Sequence, residues 1–179
     1  NGAGQLYGVL VSPALITQAK ETGQAAATVV FENIINMWNR MPANLRAGAE
    51  WYINQDVEPQ LLQMYIATGT GGVPVYLPPG GIINTPPSGS LMGRPVVPVE
   101  QCAALGTIGD ILFMNLKEYL IIDKGSMTSD TSIHVRFLYD EQTFKFTYRV
   151  DGQPLWSAPI AAAKGTTTRS PFVALATRS

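Results

Sequence analysis

The sequence is poor in the residues that most often build metal and redox sites. It contains one cysteine and one histidine in 179 residues. A single cysteine cannot form an intramolecular disulfide, and with one histidine it cannot supply the three or four ligands of a zinc site. These counts fit a reducing compartment, and we expect neither a metal nor any other cofactor.

Charged residues are also scarce. Lysine and arginine total 12, aspartate and glutamate total 13, and together they make up 14% of the chain, well below the roughly 25% typical of soluble domains. The basic residues form no run, so the broad cationic face that non-specific phosphate binding requires is missing. Nucleic acid is therefore not expected as a direct ligand. The apolar content of 46% indicates that something other than solvent covers part of the surface.

Long hydrophobic runs are missing as well. No apolar run approaches the roughly 18 residues of a membrane span, so no membrane partner is expected. The start, NGAGQLYGVLVSP, has no basic region before its short apolar stretch, as a signal peptide would have. Its two glycines among small residues are typical of a loop, and we expect the sequence to be a fragment.

Apolar periodicity in the first third of the chain predicts two helices and a strand. A helical pattern runs from Thr28, a candidate N-cap, to Pro42, which ends it. The alternation in AEWYINQ, residues 49–55, predicts a strand. Asp56 is a candidate N-cap for a second helix, roughly Val57 to Ala67.

A glycine- and proline-rich stretch without charged residues extends from Thr68 to Ser90. It predicts a long loop with one short strand at Val73 to Leu77. Structureless loops beyond about 15 residues are usually functional or disordered. Because this loop is apolar, we expect it to meet another surface.

The second half of the chain has the patterns of a sheet. Continuous apolar runs at residues 109–115 and 118–125 predict strands covered on both faces. Alternation over residues 133–139 and 144–148 predicts a long two-stranded hairpin with one apolar face, which needs a partner because an isolated hairpin is marginal. Residues 170–177 are expected to form a final strand.

Enzymatic motifs are incomplete. GTGGVP at Gly69 resembles the start of a dinucleotide loop, but Pro74 stands in place of the third glycine. No neighbouring cation is present to lower the pKa of Cys102, so we interpret it as a small, partly buried hydrophobe. These features favour a protein with neither catalytic activity nor a small-molecule ligand.

A competing class remains open at this point. A small hydrolase or ligand-binding α/β domain could use Asp110, Asp123 and His134, provided that these groups converge within hydrogen-bonding distance. The acidic residues at turns and strand ends, however, are adequately explained by hydrogen bonds to local backbone. His134 is expected on the polar face of the hairpin.

Two further side chains are candidates for contacts between chains. Arg94 lies between Gly93 and Pro95, which restricts its direction, and it could clamp a carboxylate within the fold or across an interface. Trp156, in a proline-flanked segment, has the strongest claim of the three tryptophans to an interface role.

Several stretches, taken together, resemble the tailed-bacteriophage major capsid protein family with the Hong Kong 97 fold. The most specific are the turn GRPVVP at Gly93 to Pro98 and the run GDILFMNLKEYLIIDKG followed by SIHVRF. The likeness runs nearly from end to end in the order of the family's carboxy-terminal part. The other stretches of this sequence that carry the likeness are NGAGQLYGVL, TVVFENIINMW, WYINQDVEPQL, VPVYLPPGG and SPFVAL.

The resemblance implies an α+β fold with two parts. Residues 13–123 would form the axial domain, a mixed sheet flanked by helices, with residues 165–179 returning to it. Residues 124–160 would form the β-hairpin region of the peripheral domain. Residues 1–12 would lead in from a spine helix, which is missing here together with the family's amino-terminal arm and extended loop.

The resemblance also implies a function. It indicates a structural, non-enzymatic subunit that assembles with copies of itself into pentamers and hexamers of an icosahedral shell. The packaged double-stranded DNA would be only an indirect partner, and the protein would reside in the virion and, during assembly, in the host cytoplasm. A bacterial encapsulin-like shell protein is the neighbouring alternative. The candidate intersubunit contacts are Val75, Tyr76, Leu77, Ile82, Arg94, Glu100 and Trp156.

Overall fold

The computed structural model describes residues 5–68, 71–79 and 89–179. These residues contain the helices α1 (Phe31–Arg40) and α2 (Glu58–Leu62) and several short 3-10 turns. Their strands are β1 (Ile16–Gln18), β2 (Glu50–Ile53), β3 (Tyr65–Thr68), β4 (Gly71–Pro74), β5 (Tyr76–Leu77), β6 (Ser90–Leu91), β7 (Arg94–Pro98), β8 (Ile111–Met114), β9 (Tyr119–Asp123), β10 (Thr128–Ser132), β11 (Thr143–Thr147), β12 (Val150–Pro154), β13 (Ile160–Ala161), β14 (Thr168–Arg169) and β15 (Phe172–Leu175).

One mixed sheet of seven strands organises the molecule. Its strand order is β1-β15-β8-β2-β7-β6-β5. The pairs β1–β15 and β2–β7 are parallel, and the other neighbours are antiparallel. All residues of β8 and β15 are buried, as their continuous apolar sequences predict for strands covered on both faces. The strands predicted at residues 49–55, 109–115 and 170–177 are therefore confirmed.

Aromatic stacking joins α1 to the sheet. The ring of Phe113 in β8 lies 4.1 Å from that of Trp51 in β2 and 5.3 Å from that of Trp38 in α1, measured between centroids. The indole nitrogen of Trp51, which is completely buried, donates to the carbonyl of Leu91 at 3.1 Å. Because its one polar atom has a partner, Trp51 can fill the core without a desolvation penalty.

The first helix is confirmed, but its predicted cap is wrong. α1 begins at Phe31, and the Asn33 side chain accepts from the backbone N–H of Val30 at 3.1 Å. The Thr28 hydroxyl instead donates to the carbonyl of Ala25 at 2.7 Å. Threonine and asparagine can both accept from a free N–H at a helix start, so the sequence pattern alone did not determine which residue caps α1. The helix ends before Pro42 as predicted.

The second helix is shorter than predicted. α2 ends at Leu62, and residues 65–67, expected to be helical, belong to β3, which pairs with β4 in an antiparallel hairpin. The aromatic and β-branched residues Tyr65 and Ile66 fit a strand at least as well as a helix. The predicted cap is also wrong, because the Asn54 side chain accepts from the backbone N–H of Asp56 at 3.0 Å.

The apolar run 118–125 was predicted to be a covered strand, and this prediction is wrong. β9 pairs with β12 in a two-stranded ribbon apart from the central sheet, and Ile121 is 64% exposed. A continuous apolar sequence shows that a strand has two faces to cover, but it does not identify the neighbour that covers them.

The predicted hairpin forms with a different first strand. β11 pairs with β10, at residues 128–132, whereas residues 133–139, predicted as the first strand, form turns and the short 3-10 helix Phe137–Tyr139. Asp140 follows this turn with a left-handed φ of 55°. The polar sequence TSDTS of β10 was overlooked because it has no apolar alternation, while threonine and serine pair well across a ladder.

The sheet strands fall in the segments predicted for the axial domain. All seven lie between residues 16 and 114 or 172 and 175, and β10 and β11 lie within 124–160. β9 and β12, on either side of the expected boundary at Asp123, pair along five residues. A ladder therefore joins the two segments, and the division into domains stays a prediction.

Candidate assembly surfaces

The residues proposed for a hydrolase do not converge. Asp110 is completely buried, whereas Asp123 and His134 are exposed, and no hydrogen bond or ion pair among the described residues joins the three. The described part of the chain also contains no cluster of acidic, histidine and cysteine side chains able to hold a metal ion. The geometry thus offers no support for the competing enzymatic class.

Asp110 has a structural role that the sequence analysis missed. Its carboxylate accepts from the backbone N–H of Gly106 at 2.9 Å, as expected for an acid beside a turn. It also forms a bidentate ion pair with the guanidinium of Arg178, with one distance of 3.3 Å, and both side chains are fully buried. The only signal in the sequence was an acid placed directly before a buried apolar run.

Arg178 fastens the carboxy-terminal end to two loops. Its backbone N–H donates to Gly106 and its carbonyl accepts from Ala27, both at 2.8 Å. Gly106 has a φ of 91°, and a Cβ there would lie 3.1 Å from the Cα of Ala27. Only glycine combines this backbone conformation with so close an approach. We call Asp110, Arg178 and these backbone contacts the carboxy-terminal clasp.

The single cysteine, Cys102, is affected by the negative charge of Asp110 in this clasp. Cys102 is half-buried, and burial, followed by the negative charge of Asp110, raises the pKa of its thiol. This agrees with its interpretation as a small hydrophobe.

We expect the Cys102 thiol to react slowly with a disulfide reagent such as DTNB. At about pH 8 the rate should be at least several-fold below that of the same chain unfolded in urea, because less thiolate is present and access is restricted. Stopped-flow absorbance measures both rates. Equal rates in the folded and unfolded chain would contradict the raised pKa.

The first predicted contact region forms a hairpin of β3 and β4 followed by β5. Val73 is 55% exposed and Leu77 is 48% exposed, and both present apolar surface to solvent. Val75 is half-buried against the core. Ile82 lies outside the described residues. We call the exposed side chains of Ile66, Val73 and Leu77 the hairpin surface, because Ile66 and Val73 lie opposite each other on one face of the β3–β4 ladder.

Tyr76 differs from its neighbours because it points into the core of the molecule. Only 2% of it is exposed, and its hydroxyl donates to Glu58 at 3.0 Å. Burial, with added contributions from the hydrogen bond to Glu58 and from its negative charge, raises the Tyr76 pKa to about 12. Tyr76 is therefore a core residue of the subunit, which argues against the intersubunit contact expected for it.

Arg94 binds backbone carbonyl groups rather than a carboxylate. One guanidinium nitrogen donates to Arg46 at 3.2 Å and also to Ala47, and its Nε donates to Gly93 at 3.0 Å. Within the described residues Arg94 forms no salt bridge, so the clamp of a carboxylate inside the fold is wrong. Glu100 is exposed.

Trp156 is half-buried beside the ribbon of β9 and β12. Its indole nitrogen donates to the carboxylate of Glu118 at 2.9 Å, and its ring packs against the second core cluster, which includes Leu112 and Phe172. Its indole nitrogen is thus held in place while its ring stays partly exposed, a combination typical of tryptophans at protein–protein interfaces.

The ribbon of β10 and β11 has an uncovered aromatic face. Phe144 and Phe146 are 61% and 63% exposed and lie opposite Thr131 and Ser129. The other face carries Lys145 opposite Asp130, among other polar residues. The predicted division into an apolar and a polar face therefore holds for β11, whereas the first strand, β10, places threonine and serine on the aromatic face.

Two solved structures share this architecture. The chain matches a capsid chain of an empty GTA particle, computed with C5 symmetry, with a TM-score of 0.63, and one of a native GTA particle, also computed with C5 symmetry, with a TM-score of 0.65. Each match has 15% identity and covers 100% of this chain and 58% of the other. The fold is thus the α+β capsid-protein fold, and the predicted fold class is confirmed.

The family is established independently. The model of the phage capsid family matches residues 1–165 of this chain. The chain belongs to the phage capsid family, which confirms the resemblance in its sequence. No curated protein matches the chain significantly. None of the helices in the described ranges is long and apolar enough to cross a membrane.

Proposed function

We propose that the chain is a structural, non-enzymatic subunit of a phage capsid, which assembles with copies of itself through pentamers and hexamers into an icosahedral shell around double-stranded DNA. The observation that carries this proposal is the family match over residues 1–165. The fold of the two GTA capsid chains supports it. Such a subunit would reside in the virion and, during assembly, in the host cytoplasm.

The surfaces support self-association because they expose apolar side chains in groups. No charged residue and no histidine lies between Glu58 and Arg94, so the hairpin surface has no local charge to keep it hydrated. Removal of apolar area from water stabilises a contact by roughly 25 cal/mol per Å². We assign the hairpin surface to contacts within a capsomer, with Ile82 as a further contact residue.

The remaining candidates lie outside the hairpin surface. Trp156 presents a partly exposed ring and Glu100 an exposed carboxylate, and Arg94 orders the backbone at Arg46 and Ala47. We assign these residues, together with the aromatic face of β10 and β11, to contacts outside the hairpin surface. On this assignment residues 13–123 and 165–179 form the axial domain and 124–160 the peripheral hairpin region.

Electron microscopy of the complete gene product tests the function. Expressed in a bacterial host, it should form closed shells that sediment as particles and, in an infected cell, protect double-stranded DNA from nuclease. Shells that consistently hold protein cargo and no DNA would favour an encapsulin-like shell protein. A product that stays monomeric at all concentrations tested would argue against either shell function.

A further inference from the structure

We propose that Arg46 and Arg169 form a binding site for a carboxylate of a second copy of this chain. They belong to an arginine cluster, Arg40, Arg46, Arg94 and Arg169, at the carboxyl end of α1. The inference rests on the proposed function, because the partner that it names is another capsid subunit.

Hydrogen bonds bring the two segments of the arginine cluster together. The carbonyl oxygen of Arg40 accepts from the backbone N–H of Ser170 at 3.0 Å. The next carbonyl, that of Met41, accepts from Nε of Arg46 at 3.3 Å. Arg46 is thus bound to the carbonyl of Met41, and Ser170 is bound to the neighbouring carbonyl of Arg40. Because Arg169 directly precedes Ser170, it is brought towards Arg46. The Arg46 guanidinium also lies 5.1 Å from the ring centroid of Trp38, which restricts its orientation.

The other two arginines, Arg40 and Arg94, bind the backbone around the site. A guanidinium nitrogen of Arg40 donates to the carbonyl and the hydroxyl of Thr168, at 3.3 and 3.1 Å. Arg94 donates to the carbonyl oxygens of Arg46 and Ala47. These acceptors are neutral, so the two side chains position β14 and the turn after α1 without cancelling any positive charge.

Among the described residues, no carboxylate forms a salt bridge with this cluster. The salt bridges in the described residues are Arg136–Glu141 and Arg178–Asp110. The buried Nε atom of Arg169 has no hydrogen-bond partner. Burial and then the charge of Arg169 lower the pKa of Arg46. Mutual repulsion and an unmet buried donor both destabilise the isolated subunit, and an anion bound beside the two guanidinium groups would relieve the repulsion.

A carboxylate fits this site better than a phosphate of packaged DNA. Two oxygens of a carboxylate can accept parallel N–H bonds from a guanidinium, and a partly buried site strengthens such pairs. Binding of the DNA backbone relies on many exposed basic residues, whereas this chain has 12 basic and 13 acidic residues. Acids such as Glu100 and Asp123 are exposed and form no salt bridge within the described residues, so a second copy has accessible carboxylates to offer.

Removal of both charges tests the proposal in the complete gene product. The double variant Arg46→Gln with Arg169→Gln should change the melting temperature of the subunit by less than about 3 °C, because the relieved repulsion offsets the lost contacts of Arg46 with Met41 and Trp38. The subunit concentration needed for half-maximal assembly, measured by sedimentation, should rise roughly tenfold, and its dependence on salt should weaken. The control is Arg149→Gln with Lys164→Gln, which removes two exposed charges elsewhere and should leave assembly unchanged.

Each of the other outcomes would contradict the proposed carboxylate-binding site. Unchanged assembly would show that no partner carboxylate binds there, and an equal loss in the control would assign the effect to net charge. A melting temperature several degrees below that of the unmodified protein would give the cluster a role inside the subunit. Normal shells that protect less DNA would identify phosphate as the ligand. If the unmodified protein forms no shells, the proposed function itself fails.

Discussion

Replacement of Asp110 by asparagine should lower the free energy of unfolding by about 3–5 kcal/mol, the usual cost of leaving one member of a buried ion pair alone. Asp110 and Arg178 have no exposed side-chain surface, so solvent cannot compensate the guanidinium that remains. Asparagine keeps the volume and an acceptor for the N–H of Gly106. The loss therefore reports the charge pair rather than a cavity.

Urea unfolding followed by tryptophan fluorescence measures this effect. Asp123→Asn, at the exposed end of β9, is the matched control and should change stability by less than about 0.5 kcal/mol. Adding Arg178→Met to Asp110→Asn should restore part of the loss, because no uncompensated buried charge then remains. Strictly additive losses in the double variant would show that the two side chains do not interact energetically.

A charge on the hairpin surface should prevent assembly without unfolding the subunit. Val73→Asp places a carboxylate in a stretch that has no charge between Glu58 and Arg94. Val73 is 55% exposed, so the isolated subunit hydrates the new charge. Burial of an unpaired carboxylate in an apolar contact costs several kcal/mol, which predicts at least about a 100-fold rise in the concentration needed for assembly.

The control for this variant has similar exposure in another place. Val11 is 52% exposed on the 3-10 turn Val9–Val11, and Val11→Asp should leave assembly less affected. Sedimentation and electron microscopy of the complete gene product give the yield of shells, and circular dichroism checks the fold. Normal particles from Val73→Asp would reject the assignment of the hairpin surface to capsomer contacts.

The elements that the sequence predicted well are those with a strong local signal. The helix before Pro42 has apolar residues on one face only, and β8 and β15 are short apolar runs next to polar residues. In each case the residues that must leave water identify both the element and its buried side. The match of ordered motifs to the capsid family came from the same stretches.

The predictions that failed concern what lies beside an element. β9 looked like a covered strand, yet its partner β12 leaves Ile121 and Ile122 exposed. β10 has no apolar alternation and was found only through its pairing with β11. Tyr76 appeared in an apolar loop, yet it is buried in the core, and its hydroxyl donates to Glu58 from a different element. None of these neighbours is encoded within the segment itself.

The sequence alone determined the α+β class, the main buried strands, the first helix and the capsid family, because hydrophobic periodicity and ordered motifs are local properties of the chain. Only the tertiary structure decided that Arg178 is buried against Asp110, 68 residues away in the chain. It also decided that a backbone hydrogen bond joins the end of α1 to Ser170, which brings Arg169 towards Arg46, and that neither arginine forms a salt bridge within the described residues. Ionic contacts act through space over a few ångströms, and residues far apart in sequence carry no mark of the partner that folding will give them.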